Sequence, residues 1–312
     1  TNLLKMKNKI KKILITGSSG TIGTRLFEEL LALSYDVIGF DKNHNKWNSN
    51  LDKLTIIGDL LKKEDTKKIP ADIDIIVHFA ANARVYDLVL EPDLALENIV
   101  TTYNVLDFTR RNGIKRVIFS SSREVYGNKK EIISKETDVN IQLCESPYAA
   151  SKVSDEALVY SFSKCYGIDY IVCRFSNVYG MYDESERFIP LMIRKLKKNG
   201  DVEIFGKEKI LDFTYIDDCV GGVIGCIEKF DNVKNNVFNI ASGKGTKLID
   251  VAKIIKKNVN SKSRILIGNN RPGEVVGYIA NISKAKKLLE YMPKTSIHEG
   301  VKKSINWYRN NV

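Results

Sequence analysis

Lys12-Ile-Leu-Ile-Thr16-Gly17-Ser-Ser-Gly20-Thr-Ile-Gly23 decides the fold of this 312-residue chain. The stretch opens as a short apolar run and closes as a glycine-spaced turn. From Thr21 to Leu33 the apolar residues Ile22, Leu26, Phe27, Leu30 and Leu31 then recur at helical spacing. A strand, a tight turn and a helix in that order bring backbone N–H groups and the positive end of a helix dipole to one point, where a pyrophosphate is held. Gly17, Gly20, Thr21, Ile22 and Gly23 are therefore the first candidate binding residues. The next apolar run, Asp36-Val-Ile-Gly-Phe40, leads into Asp41, 18 positions after Gly23. That is close to the spacing of about 20 expected of a ribose-binding carboxylate. Such a carboxylate accepts hydrogen bonds from ribose hydroxyls and repels a 2′-phosphate, which favours NAD over NADP. Lys42 beside it weakens that preference. A glycine turn serving only helix packing is the alternative, and the agreement of strand, helix and acid argues against it.

Outward from this unit the same rhythm continues. Leu54-Thr-Ile-Ile57, Asp74-Ile-Ile-Val-His78, Arg116-Val-Ile-Phe-Ser120, Tyr170-Ile-Val-Cys-Arg-Phe175 and Val237-Phe-Asn-Ile240 are short runs rich in β-branched and aromatic residues. Helix-length segments separate most of them, notably Pro92 to Arg111. Continuous apolar strands alternating with helices predict an α/β fold: a doubly wound parallel sheet of the Rossmann type, covered on both faces. The stretches 177–211 and 242–312 break the rhythm and predict a smaller, discontinuous substrate-binding domain. The dinucleotide-binding domain is then 1–176 plus 212–241.

Composition narrows the function classes. Hydrophobic residues are 43% and charged residues 28% of the chain, as in globular proteins, and no apolar run nears the roughly 20 residues of a membrane span. Lys5, Lys7, Lys9, Lys11 and Lys12 are followed by only three apolar residues, too few for the core of a signal peptide, so a cytoplasmic location is expected. The five cysteines have no CxxC spacing, which predicts neither a disulfide framework nor a metal site. The net charge of +11 is spread along the chain without a basic stripe interleaved with aromatics. It predicts a lysine-rich surface that attracts anionic small molecules, with no nucleic-acid partner.

The chemistry centres on Ser146-Pro147-Tyr148-Ala-Ala-Ser-Lys152. Serine at an N-cap and proline at the first helical position start a helix, which sets Tyr148 and Lys152 four apart on one face. A free phenol, with a pKa near 10, is a poor base at neutral pH. An ammonium beside it stabilises the phenolate, which makes Tyr148 a candidate general acid/base. Spacing alone does not separate this from an amphipathic helix with an exposed lysine.

Further motifs change that balance. Asp59-Leu60, His78-Phe-Ala80-Ala81, Asn98, Ser120-Ser-Ser122-Arg-Glu124-Val-Tyr-Gly127, Arg174-Phe-Ser-Asn177-Val-Tyr-Gly180, Asp212-Phe-Thr-Tyr-Ile-Asp-Asp218 and Arg271-Pro-Gly-Glu274 occur in that order. With the glycine loop and YxxxK they resemble, over nearly the whole chain, the extended short-chain dehydrogenases/reductases, specifically the NAD-dependent nucleotide-sugar epimerases and dehydratases. The resemblance implies roles by position. Tyr148 exchanges the proton of the sugar 4-hydroxyl, Lys152 binds the nicotinamide ribose, and Ser122 hydrogen-bonds the same sugar oxygen. Asp59 and Leu60 hold the adenine, while Ala80, Ala81, Asn98 and Ser120 line the cofactor cleft. Asn177, Phe205 and Arg271 belong to the substrate side, Arg271 as a guanidinium on the diphosphate. Leu211 stands where the family usually has arginine, leaving Lys209 as the substitute, and Asn281 stands in place of an aspartate.

The resemblance also bears on the reaction. Dehydratases share Glu124 but carry an aspartate before it, and Arg123 cannot serve as that acid. UDP-glucuronate decarboxylases share the glutamate too, but have an arginine-rich stretch where this chain reads Gly277-Tyr278-Ile279. What remains is 4-epimerisation through a 4-keto sugar, with dehydratase or decarboxylase chemistry as the alternative. A non-catalytic NAD-binding sensor or scaffold is the alternative from another class, and the presence of Ser122, Tyr148 and Lys152 argues against it. Tyr278, seven residues after Arg271, resembles a position where a tyrosine leaves room for a C2 hydroxyl but not an N-acetyl group. That implies interconversion of UDP-glucose and UDP-galactose. Helices near 92–111 and 148–166 resemble the pair that forms the family's homodimer interface.

Overall fold

The computed structural model describes Ile10 and residues 12–312; Lys5, Lys7, Lys9 and Lys11 lie outside the described residues. Seven strands form one sheet in the spatial order Asn236–Ile240, Asp169–Phe175, Arg116–Ser122, Ile75–His78, Lys12–Thr16, Asp36–Asp41, Thr55–Ile57. Every adjacent pair is parallel. Burial explains why these runs pair. Ile13 and Ile15 pack on one face against Leu26, Phe27 and Leu30 of the Thr21–Ala32 helix. Leu14, pointing the other way, packs with Ile76, Val105 and Phe108. Both faces are thus dry, which is why the strands read as continuous apolar runs rather than alternating ones. The strand order reverses between Lys12–Thr16 and Ile75–His78, and the crevice beyond the carboxyl ends at such a switch point is where doubly wound sheets bind ligands.

The Pro147–Tyr166 helix forms for local reasons. The Ser146 side chain accepts from the Ala149 N–H at 3.2 Å, Pro147 opens the first turn, and Gly167 closes the helix at φ +65°. It packs along the Asp93–Arg111 helix and over the Arg116–Ser122 strand.

A second, smaller sheet centres on Ile210–Tyr215, which pairs with Asn177–Tyr179, Gly245–Lys247 and Gly277–Ala280. Ile133–Ser134 adds to Gly277–Ala280, and a separate pair joins Val202–Phe205 to Ile265–Gly268. The position between residues 211 and 212 falls within the central strand of this sheet. Asp212 ties it together: the buried carboxylate accepts from the N–H groups of Ser242, Gly243 and Ala280 and from the Ser242 hydroxyl. Cys173, Cys219 and Cys226 are buried, whereas Cys165 is exposed and Cys144 half-buried. No helix among the described residues is long and apolar enough to cross a membrane.

Candidate active site

Two adjoining cavities open at the switch point, one of about 500 Å³ and one of about 260 Å³. Gly17, Gly20, Phe79 and Ala81 border both. Gly17 has φ +72°, and a Cβ there would lie 2.7 Å from the Ala80 nitrogen. A Cβ on Gly23 would lie 2.0 Å from the Gly17 carbonyl oxygen. These two glycines therefore let the turn press against both the helix and the neighbouring strand exit. Gly20 caps the Thr21–Ala32 helix without a side-chain hydrogen bond, and its first turn has no acidic residue. The N–H groups and dipole of that helix remain directed at an anion, as a dinucleotide pyrophosphate requires.

Asp41, Lys42, Asp59, Leu60, Ala80 and Asn98 line the smaller cavity. The Asp41 carboxylate accepts from the Ser19 N–H at 3.0 Å and the Asn43 N–H at 2.9 Å, and its remaining lone pairs are free for ribose hydroxyls. Burial raises its pKa against the lowering pull of those N–H groups. Asp59 caps its own loop by accepting from the Leu61 N–H. Asn98 lines this cavity with its amide already engaged. Its amide holds the Asn82 backbone at both N–H and carbonyl and donates to the Ser151 hydroxyl. It shapes the wall by fixing the 82 loop.

In the larger cavity the fold brings together Thr21, Ile22, Gly23, Ser120, Ser122, Glu124, Tyr148, Lys152, Asn177, Phe205 and Arg271. The three consecutive serines divide their work. The Ser120 carbonyl accepts from Lys152 Nζ at 3.0 Å. The Ser121 hydroxyl donates to Glu156, itself held by Arg174 at 2.7 Å. Ser122 lies at the strand end beside the cavity, where its Oγ accepts from the Glu124 N–H at 3.2 Å. Tyr148 is 7% exposed, its ring packed with Leu88 and Ala95.

Glu124 is buried and paired with Arg123 at 2.7 Å, and Arg84 on the cavity wall pairs with Asp87. Burial raises the Glu124 pKa, and Arg123 pulls it back down. Lys209 is buried against Glu274 at the cavity wall, beside Leu211. The Asn177 side chain donates to the Asp212 carbonyl at 3.2 Å, which braces the second sheet. Arg271 lies over the Phe205 ring at 3.7 Å and the Tyr86 ring at 4.7 Å. The Asn281 side chain accepts from the Ser283 N–H in the turn that leads into the following helix.

One expectation is corrected. Tyr278 borders neither cavity: it is 1% exposed, stacked on Tyr126 at 5.8 Å, with the Arg123 guanidinium 5.8 Å from its ring. It shares a sheet face with Leu211 of the cavity wall, but Arg123 and Tyr126 cover its ring, so the steric argument against N-acetyl sugars has no wall to act through. The structure also adds cavity residues that spacing did not reveal, among them Tyr86, Arg187 and Phe188. Tyr86 sits in the short Val85–Leu90 helix, and Arg187 and Phe188 lie at the start of the Phe188–Lys197 helix.

A switch-point crevice, an uncapped helix N-terminus and a Ser–Tyr–Lys group beside it define an NAD-dependent enzyme of the extended short-chain dehydrogenase/reductase class. The chain belongs to the NAD dependent epimerase/dehydratase family, whose model matches residues 13–241. A putative UDP-glucose 4-epimerase from Methanocaldococcus jannaschii is 32% identical, over 96% of this chain and 99% of that protein. The UDP-glucose 4-epimerase of Thermotoga maritima, solved with UDP-glucose, superposes with a TM-score of 0.88 at 30% identity, covering 96% of this chain and 99% of that one. The UDP-glucuronic acid 4-epimerase of Bacillus cereus, solved with UDP-glucuronic acid and NAD, gives 0.86 at 28% identity, over 96% and 99%. The protein is thus an enzyme of the NAD-dependent nucleotide-sugar epimerase/dehydratase group.

Proposed function

We propose that this enzyme is a nucleotide-sugar 4-epimerase that interconverts UDP-glucose and UDP-galactose through a 4-keto intermediate. The observation that carries the 4-epimerase reading is the Arg123–Glu124 ion pair at 2.7 Å in the cavity wall. The choice of UDP-glucose and UDP-galactose is supported by the likeness to the putative UDP-glucose 4-epimerase of Methanocaldococcus jannaschii and the UDP-glucose 4-epimerase of Thermotoga maritima. An always-charged guanidinium cannot protonate a departing 6-hydroxyl, and it engages the neighbouring carboxylate that dehydratase chemistry would need. NAD, when bound, supplies the hydride acceptor and donor. Tyr148 takes the proton of the 4-hydroxyl and returns it, Lys152 supports the phenolate and the nicotinamide ribose, and Ser122 orients the sugar oxygen. Gly17 to Gly23 and Asp41 hold the pyrophosphate and adenosine ribose, with Asp59 and Leu60 at the adenine. Arg271 and Asn177 take the substrate diphosphate, with Lys209 in the place vacated by the missing arginine and Phe205 offering a flat face. In this reading residues 1–176 and 212–241 serve the cofactor, and 177–211 and 242–312 serve the sugar nucleotide.

The protein is further proposed to be a cytoplasmic homodimer, paired through the Asp93–Arg111 and Pro147–Tyr166 helices. They carry Leu96, Tyr103 and Tyr166 at 61%, 43% and 47% exposure, an apolar face suited to a second copy. A dehydratase or decarboxylase is the second reading, because Glu124 Oε2 is buried beside the cavity without a hydrogen-bond partner. Incubation with UDP-glucose, UDP-galactose, UDP-glucuronate, their N-acetylated counterparts and dTDP-glucose, with products separated and weighed, tests both. Epimerisation leaves the mass unchanged. Loss of water or of carbon dioxide would establish the second reading, and no product from any sugar would point to a non-catalytic protein.

A further inference from the structure

Beneath the Ser–Tyr–Lys group lies a buried carboxylate that the reaction above does not use. Asp155, one turn beyond Lys152 on the Pro147–Tyr166 helix, is 0% exposed, and neither of its oxygens has a well-formed hydrogen bond. Its Oδ2 is 3.9 Å from Lys152 Nζ. The next residue, Glu156, makes the contrast clear. Arg174, Ser121 and Tyr160 all bond it, as expected of a structural buried acid.

The surroundings leave Lys152 with little other negative charge. On the same helix Glu156 is neutralised by Arg174 from the Asp169–Phe175 strand. The Ile75–His78 strand contributes His78, held neutral because burial and Lys152 lower its pKa to about 3. Its ring lies between the hydroxyls of Thr16 and Thr102. The Asp93–Arg111 helix contributes the uncharged Thr102, and the Arg116–Ser122 strand the Ser120 carbonyl and the Phe119 ring, 4.9 Å from the ammonium. Burial disfavours the charged form of an ammonium, and a nearby counter-charge offsets that.

We propose that Asp155 is a positioning residue, the counter-charge that keeps Lys152 an ammonium at alkaline pH and so widens the pH range over which Tyr148 works. The inference rests on the assignment of Tyr148 and Lys152 made above. It has a cost that can be read independently of catalysis. Burial pushes the Asp155 pKa up to about 6, outweighing the lowering pull of Lys152 and the Thr102 hydroxyl. The folded state then binds the proton more tightly than the unfolded one. Stability is lost as pH rises from the ordinary carboxyl value of 3.8 to about 6 and stays lost above it.

The test is Asp155→Asn in the NAD-loaded enzyme, with kcat followed from about pH 6 to 10 and melting midpoints from about pH 4 to 8. A unit charge removed at this distance should move the alkaline limb of kcat down by roughly 1–3 pH units. At neutral pH kcat should fall no more than about threefold. The variant should melt higher than wild type at neutral pH, with the gap closing toward pH 4. Superimposable pH profiles would overturn the proposal. So would a uniform loss of kcat with a lowered midpoint, or failure to fold, either of which marks a purely structural acid. Tyr148→Phe separates the two levels. If it stays active, the acid/base assignment falls; if it is inactive while the Asp155→Asn profile is unchanged, only the role of Asp155 falls.

Discussion

Replacing Arg123 with methionine isolates the ion pair on which the proposed reaction rests. The substitution keeps much of the side-chain volume and leaves Glu124, 2% exposed, without its partner. At 2.7 Å and an effective dielectric of about 20 the lost attraction is roughly 6 kcal/mol. Desolvation of the two ions returns part of this, and removing one member of a buried pair generally costs about 3–5 kcal/mol. For a chain of this size that lowers the melting midpoint by about 5–10 °C. The pH dependence supplies the sharper test. Glu124 already has a raised pKa from burial, and Arg123 is the group that pulls it down most strongly. Without Arg123 the folded state holds the glutamate proton still more tightly. The destabilisation should therefore be small below the ordinary glutamate value of 4.5, where both states are protonated, and grow as pH rises. Calorimetric melting at several pH values and fixed NAD concentration measures this. Arg123→Met/Glu124→Gln, which removes both charges, should recover about 1–3 kcal/mol relative to the single variant at neutral pH. A pH-independent loss, or a double variant no more stable than the single, would refute the reasoning.

Tyr148→Phe should lower kcat by about 10²–10⁴ while leaving the melting midpoint and NAD content unchanged, because only the titratable oxygen is lost; activity within tenfold of wild type would remove Tyr148 from the mechanism. NAD rather than NADP is expected in the supernatant of denatured, purified protein, since an epimerase returns the hydride to its own substrate and need not release the cofactor. NADP there would mean that Asp41 does not exclude a 2′-phosphate. Light scattering at working concentration should give twice the 35.3 kDa chain mass, and a monomer would contradict the helix-pair interface.

The sheet was legible because its physics is local. Runs such as Lys12–Thr16 and Ile75–His78 are buried on both faces, so the strands announce themselves without any knowledge of their partners. The glycine turn was legible for the same reason, since Gly17 and Gly23 meet backbone within a few residues of the turn and at the next strand exit. Ser146 and Pro147 likewise fixed the start of their helix. The second sheet was not legible, because Ile210–Tyr215 pairs with segments from three distant parts of the chain. Tyr278 shows the limit most clearly. Spacing from Arg271 locates it along the chain, but a strand shows alternate residues to opposite faces, and Gly277–Ala280 buries Tyr278 and Ala280 while leaving Gly277 and Ile279 partly open. Nor does distance in sequence show that Arg123 and Tyr126, from another part of the chain, cover the ring on the face it shares with Leu211.

The charges around the Arg116–Ser122 strand end explain why the site lies there. Lys152, Asp155, Glu156 and Arg174, with Arg123 and Glu124 beyond the strand end, are all nearly excluded from water. A fold selected for stability alone would replace most of them with apolar side chains, since buried ion pairs contribute little net stability. The pairing pattern sorts them. Glu156 and Arg174 are fully bonded and join helix to strand, so they act as a frame. Arg123 Nη1 and Glu124 Oε2 are left without hydrogen-bond partners, and neither Asp155 oxygen has a well-formed one. Unsatisfied buried polar atoms are costly and persist where they serve the chemistry. That these atoms flank Ser122, Tyr148 and Lys152 on two sides favours a site whose neighbouring charges are set before substrate arrives. Its specificity is then better sought in Arg123 and Glu124 at the cavity wall than in the buried ring of Tyr278.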